Sequence, residues 1–529
     1  MTALLFVLLV IVVLVWVANR IGVAYPIVLV LGGMLIGFIP GVPVVTMPPE
    51  LVLVAFLPPL LYWESVTAPT SEFRASAWWI FQLAFGLVII TMLAVALIAH
   101  AIVPAIGWGV ALVLGAVVSS TDEVAFAPVA DLLKVPRHVV ATIEGESLVN
   151  DATSLILYAV ALAAVVSGTF SLPHALGSLA LSIAGSIAIG IAAGSVAVLA
   201  WHFIKDASLQ SVISLATPFL SYLPAQHLGV SGVLAVVTTG LFVNRFTPVV
   251  LMPLARERAT GFWVTIVFVL NAIIFVLVGL QFHSIALSLS RFSWATLLWY
   301  GVAVSLTVIL VRIGWVFFQG LLPFTNEPEH EGGKADWSHV AILAWSGMRG
   351  GVSLAAALAI PFATSVGPLQ DRNLIIYITF CVLLATLVGQ GGTLPALVRW
   401  LRVKDDGADE REERVALAVT ARAAVRRLHV LAHERTIPSD LLDRLATRFH
   451  TRWKEFRSLD TQAGEVAKST ALYRELEREL IGAQRRELIA LRDQGKIDNT
   501  VMRRIQRLLD LETAEVELLG SAGHSDIEE

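Results

Sequence analysis

The sequence predicts an all-α polytopic membrane protein. About thirteen transmembrane helices are expected, in two inverted repeats with helices 5 and 12 broken, followed by a C-terminal helical cytosolic domain. Three observations predict this. First, the chain is 57% hydrophobic and 15% charged, against about 25% charged in a typical soluble protein. Second, the charge is divided: residues 1–401 hold 14 Lys/Arg and 16 Asp/Glu, whereas residues 402–529 hold 23 and 25. The first segment is built for a bilayer and the second for water. Third, two of the apolar stretches are interrupted midway by small polar residues, glycines and charges.

An apolar run of about 20 residues crosses the hydrocarbon core as a helix. By that criterion the spans fall at 3–19, 21–39, 49–66, 76–103, 107–130, 142–167, 175–203, 209–224, 228–243, 260–282, 293–319, 338–360 and 373–400. The chain starts Met1-Thr2-Ala3 and stays apolar through Ala18, without the basic start and small-residue cleavage site of a secretory signal, so this stretch is expected to be the first span. Connections on one side carry Arg20, Arg74, Lys134, Arg137, Lys205, Arg245, Arg256, Arg258 and Lys334. The other side carries Arg291 and Arg372. The positive-inside bias places the richer set in the cytoplasm of a cell membrane, the N-terminus outside and the C-terminal segment inside. Trp78, Trp108, Trp201, Trp294 and Trp400, near span ends, are expected at the membrane interfaces. Residues 410–435 and 470–518 have the spacing of amphipathic, solvent-facing helices. The expected division is a transmembrane domain, 1–401, and a mostly helical tail, 402–529, with regulation or dimer contact as open roles.

Ionisable groups within spans are costly and mark pathways. Here they are Glu64, Asp122, Glu123, Glu146, Asp151, Arg312 and Arg349. Span five contains Ser119-Ser120-Thr121-Asp122-Glu123, a poor continuous helix because Ser and Thr compete for backbone partners. Span twelve contains Gly347-Met348-Arg349-Gly350-Gly351, which suggests a second break. Breaks in two oppositely directed spans indicate an inverted-repeat transporter with its site at the midplane. In that arrangement Asp122 balances half-helix N-termini and Arg349 half-helix C-termini.

Span six carries Glu144-Gly145-Glu146-Ser147-Leu148-Val149-Asn150-Asp151-Ala152-Thr153-Ser154. Ser147, Asp151 and Ser154 share one helical face, and Glu146 and Asn150 lie on the neighbouring one. A monovalent cation takes oxygen ligands, which a carboxylate among hydroxyls and freed carbonyls supplies. Asp151 can then hold a proton or a cation but not both, and that competition is an exchange mechanism. Asn150 cannot ionise, so one proton for one cation, with no net charge moved, is the expectation.

These residues resemble the cation:proton antiporter-1 family of sodium/proton exchangers, in their bacterial type, over roughly the first 400 residues. The motifs are Phe56-Leu57-Pro58-Pro59-Leu60-Leu61, Ser120-Thr121-Asp122, Gly145-Glu146-Ser147-Leu148-Val149-Asn150-Asp151, Val230-Ser231-Gly232-Val233-Leu234-Ala235 and Arg349-Gly350-Gly351. The resemblance implies a homodimer working by an elevator-like alternation, with Asp151 as the exchange carboxylate and Ser147 and the Thr121 carbonyl helping to hold the ion. It also implies that Glu146 pairs with Arg312, that Asn150 packs against the Thr121-Asp122 break, and that exchange is electroneutral. Three departures stand out. Glu123 replaces the proline that usually follows Thr-Asp. Trp63 takes the usual place of an acid, leaving Glu64 one residue, about 100° of helix, out of register. Gln226-His227 stands where many members carry an acid.

Other classes fit less well. A potassium/proton exchanger on the same scaffold remains the alternative, since both ions use oxygen cages; sodium is expected on resemblance. An aspartyl protease dyad of Asp122 and Asp151 lacks the Gly-x-Gly-Asp element. An ion-sensing channel has no support in the tail, which contains no phosphate loop. The net charge of −4 gives no reason to expect nucleic acid. Cys381, the single cysteine, can form no internal disulfide. His100, His227, His283 and His339 lack metal spacing, so no cofactor is expected beyond the transported sodium or potassium and protons.

Overall fold

Long apolar stretches without prolines at their centres form helices because a helix satisfies its backbone internally. The computed structural model describes residues 2–40, 54–104, 106–124, 126–167, 172–321, 336–361, 363–364, 367–368, 371–403, 408–434 and 438–458, with scattered positions between 476 and 513. Their contacts divide the chain into two units, Met1–Lys404 and Asp405–Glu529.

The first unit begins with α1 (Thr2–Ile21), α2 (Tyr25–Gly37) and α3 (Leu57–Thr67). Pro26, and Pro58 with Pro59, occupy the first turns of α2 and α3, where a missing N–H costs nothing. After the short α4 (Thr70–Ala75) comes α5 (Ala77–Ile102), with a π-helical turn at Gln82–Leu87. The fifth span divides into α6 (Trp108–Ser119) and α7 (Ala127–Leu133). Then follow α8 (Arg137–Ser167), α9 (Leu172–Phe203), α10 (Ala207–His227), α11 (Gly232–Val250), α12 (Pro253–Ser288) and α13 (Trp294–Gly320). The twelfth span divides into α14 (Trp337–Trp345) and α15 (Gly351–Leu358), and α16 (Arg372–Leu401) closes the unit. A two-residue ladder pairs Ala363–Thr364 with Gly367–Pro368.

Side-chain oxygens set several helix starts. Asp206 accepts from Leu209 N at 2.8 Å, Ser231 from Leu234 N at 3.2 Å, Ser293 from Thr296 N at 3.1 Å and Asp336 from Ser338 N at 2.8 Å. Seven of the described helices are each long and apolar enough to cross a membrane: those starting at Ala77, Arg137, Gly177, Gly232, Pro253, Trp294 and Arg372. The halves of the two broken spans are too short to do so alone.

Two packings organise the unit. α2 lies along α12, and α9 lies along α11, with α3 also against α11. At the first, a Cβ on Gly33 would stand 2.7 Å from the Val276 carbonyl oxygen, and Gly279 faces the backbone of Val30 and Met34. Only paired glycines let the two backbones approach this closely. The exterior carries large apolar side chains such as Leu93, Leu181, Val249 and Leu310. Such a surface is penalised in water and satisfied by lipid.

One interfacial expectation is corrected. Trp78, Trp108, Trp294 and Trp400 are exposed, but Trp201 is buried. Its Nε1 donates to the Gln210 carbonyl at 3.1 Å, and Gln210 Nε2 donates back to the Trp201 carbonyl at 3.0 Å. That exchange ties the end of α9 to the start of α10, so Trp201 is a packing residue rather than a lipid anchor. His339 also has a partner invisible in sequence: its Nδ1 lies 3.0 Å from His138 Nε2, joining the starts of α14 and α8.

In the second unit, α17 (Ala408–Glu434) and α18 (Ser439–Ser458) pack on each other. The expected helix over 410–435 falls on α17. Of the one expected over 470–518, residues 479–491 are helical, and much of the remainder lies outside the described residues.

Candidate functional site

The two breaks meet. Residues Ser120–Val124 leave the helical conformation after α6, and Ser346–Gly350 do so after α14. Asp122 N donates to the Met348 carbonyl at 2.8 Å, so the extended stretches are hydrogen-bonded to one another. Four helix ends then point at one region, each with orphan backbone groups. Asp122 Oδ1 accepts from Val124 N at 2.7 Å, and Oδ2 from Gly351 N, the start of α15, at 3.2 Å. Arg349 Nε donates to the Val118 carbonyl near the end of α6 at 3.0 Å, and Nη1 donates to the Gly347 carbonyl. Each break thus supplies the charge that complements the other's helix end. Gly350 is required by contact: a Cβ there would fall on the Asp122 carboxylate. At the far end of α15, Arg372 donates to the carbonyls of Ile360 at 2.7 Å and Leu358 at 2.8 Å, a cap with no local sequence signal.

α8 presents its motif to this crossing. Asp151, Asn150, Ser147, Thr121 and Glu146 are all buried. Ser147 Oγ donates to the Thr121 carbonyl at 3.1 Å. Asn150 Nδ2 donates to Thr121 Oγ1 at 2.6 Å, and Thr121 Oγ1 donates to Glu146 Oε1 at 3.1 Å. Glu146 is held in a two-pronged ion pair by Arg312, whose Nη2 reaches Oε2 at 2.9 Å. Arg312 also donates through Nε and Nη2 to the Leu343 carbonyl at 3.2 and 2.9 Å, at the end of α14. Glu146 and Arg312 are therefore committed to each other, with no charge left over. Asp151 has no cationic partner among the described residues; its Oδ1 accepts from Ser120 Oγ. Ser120 is the site residue that sequence reasoning quoted without a role, because nothing local shows a hydroxyl thirty-one residues away turning onto a carboxylate.

The remaining carboxylates gather elsewhere. Glu64, Glu123 and Glu144 line a cavity of about 140 Å³ with Thr67, Phe73 and Leu148. It sits beside α8 on the Arg137 side of Asp151, since Glu144 and Leu148 precede Asp151 by two turns and one. Glu64 and Glu123 therefore approach the site from this cavity rather than joining the Ser120–Asp151 contact. Hydroxyls, a carbonyl and the Asp151 carboxylate at the crossing form a buried, oxygen-rich cluster that suits a hard monovalent cation or a proton.

Known proteins resemble this chain over most of its length. A family model described as sodium/hydrogen exchanger, transmembrane, matches residues 6–400. An uncharacterized Na(+)/H(+) exchanger of Mycobacterium tuberculosis is 36% identical over 517 residues, 95% of this chain and 93% of that protein. A sodium, potassium, lithium and rubidium/H(+) antiporter of Bacillus subtilis is 32% identical over 360 residues, 66% of this chain and 54% of that protein. The fold is similar to the solved sodium proton antiporter of Methanocaldococcus jannaschii at pH 8, with a TM-score of 0.60 and 18% identity over 76% of this chain and 99% of that one. The chain belongs to the sodium/hydrogen exchanger family.

Proposed function

We propose that this protein exchanges sodium for protons, one for one, across the cell membrane, with Asp151 as the carrier of either. The carrying observation is that, among the described residues, Asp151 is the carboxylate beside Ser120 and Ser147 that is engaged by neither a cation nor a helix end, while Glu123 of the same break lines the neighbouring cavity. Glu146 is neutralised by Arg312, and Asp122 is held by backbone N–H groups. A bound cation would take oxygens from Asp151, Ser147 and the Thr121 carbonyl. Protonation of Asp151 removes the charge that holds the cation, so binding of the two is mutually exclusive. Asn150 stays neutral, which supports movement without net charge.

The acid-lined cavity is the near-side entry, where Glu64 and Glu123 concentrate cations by their charge. The bias of basic residues supports placing that side, and the charged C-terminal unit, in the cytoplasm, with the N-terminus outside. Alternating access then requires the cavity to close as the opposite side opens. The family resemblance supports a homodimer, and no resident cofactor is needed. Potassium is the second reading, favoured by the broad cation range in the name of the Bacillus subtilis relative.

The test is proteoliposome exchange: internal pH after sodium, potassium or lithium addition, for wild type and Asp151→Asn. Sodium-driven proton movement without a membrane potential in wild type, lost in Asp151→Asn, is expected. Normal exchange by Asp151→Asn would remove the carboxylate mechanism; exchange with potassium alone would change the ion.

A further inference from the structure

On the side of Asp151 away from the acid-lined cavity, α6, α8 and α15 enclose a second cleft, closed and without room for water. Four hydroxyl-bearing residues, Ser120, Ser154, Tyr158 and Ser353, stand around it in a wall otherwise apolar, which includes Leu155 and Val352. Three of these hydroxyls spend their hydrogen inward. Ser120 donates to Asp151 Oδ1, Ser154 to the Asp151 carbonyl at 3.1 Å, and Ser353 makes a long 3.5 Å contact to the Ser120 carbonyl. A hydroxyl has one hydrogen and two lone pairs, so each of these oxygens keeps acceptor capacity for a cation. Tyr158 differs. It is 8% exposed, and its Oη is buried with no hydrogen-bond partner. Buried polar groups are nearly always paired, and an exception calls for a reason. A phenylalanine would fill the same space without an unsatisfied oxygen, and the one charged group that acts on the hydroxyl among the described residues is the Arg372 guanidinium at the far end of α15.

Ser154 and Tyr158 follow Asp151 by three and seven residues, on one face of α8, Tyr158 about 10 Å further along the axis. Building on the exchange reading, we infer that Tyr158 is a cation ligand of the far-side route: when the cleft opens, the ion travels between Asp151 and the far surface past Ser154, Ser353 and the Tyr158 hydroxyl. The partner absent from Tyr158 Oη in the closed cleft is then the passing cation.

The experiment is sodium-driven exchange by the full-length protein in right-side-out and everted membrane vesicles, comparing wild type with Tyr158→Phe. The KM for sodium presented from the Ser167 end of α8 is expected to rise about fivefold, the loss of one oxygen contact. The KM from the Arg137 end should change by less than about twofold, within the spread of a neutral change. Equal shifts from both sides would mark a structural effect and overturn the inference, as would no shift from either. Ser353→Ala must produce the same one-sided shift, and it decides the matter alone if Tyr158→Phe fails to reach the membrane. If wild type exchanges no cation from either side, the exchange reading itself falls, and this inference with it.

Discussion

Arg312 and Glu146 show what burial does to charge in this protein. Both are almost fully enclosed, at 0% and 1% side-chain exposure, and each is the other's neutralising partner. Removing one member of such a pair leaves a desolvated charge, which costs about 3–5 kcal/mol. Glu146→Gln is therefore expected to lower thermal stability in detergent sharply. Adding Arg312→Leu to Glu146→Leu should restore much of it, because two apolar side chains leave nothing unpaired. If Glu146→Gln melts like wild type, the pair is not the structural tie described here. The pairing of these residues, 166 positions apart, came from family resemblance and not from spacing. The Ser120 contact on Asp151 was invisible at this scale, since a hydroxyl has no sequence signature for what it donates to.

At the scale of elements, the broken helices work only as a pair. α6 ends where its Val118 carbonyl accepts from Arg349, and α15 begins where its Gly351 N–H donates to Asp122. Asp122→Asn keeps a hydrogen-bond acceptor but removes the charge facing the α15 N-terminus, which is worth about 1 kcal/mol. A modest drop in melting temperature with slower exchange is expected, whereas Asp151→Asn should stop exchange without that loss of stability. Identical melting and turnover for Asp122→Asn and wild type would show that the half-helix dipole is satisfied by other groups. The breaks themselves were readable, because Ser120-Thr121-Asp122 and Gly350-Gly351 are poor helix interiors. That they are hydrogen-bonded to each other was not, since the partners lie more than two hundred residues apart. The Arg372 cap on α15 was missed although its carbonyls lie only 12 and 14 residues back, because Arg372 reads in sequence only as a basic residue at a span edge.

For the whole molecule, the two units differ in the solvent they suit. The first unit buries Glu146, Asp151, Arg312 and Arg349 within its spans and exposes leucine, valine and tryptophan; α17 and α18 in the second expose arginine and acidic residues. Every residue placed at the exchange site lies before Lys404. A chain ending at Lys404 is therefore expected to keep sodium-driven exchange in proteoliposomes. A folded but silent truncated chain would show that the second unit is required for transport and not only for its control.

By itself, the sequence determined the membrane class and the two broken spans, and it singled out Asp151 as the expected exchange carboxylate. Lipid forces apolar residues into contiguous runs, and a carboxylate inside such a run is too costly to be incidental. The tertiary structure alone decided what each polar atom faces. It turned Ser120 onto Asp151, buried Trp201 against Gln210, grouped Glu64, Glu123 and Glu144 around one cavity, and left the Tyr158 hydroxyl without a partner in a closed cleft. The physical reason is range. Hydropathy acts along the chain and is written in neighbouring residues, whereas hydrogen bonds and cavities depend on how helices meet in space, whether the partners are nine residues apart or more than two hundred.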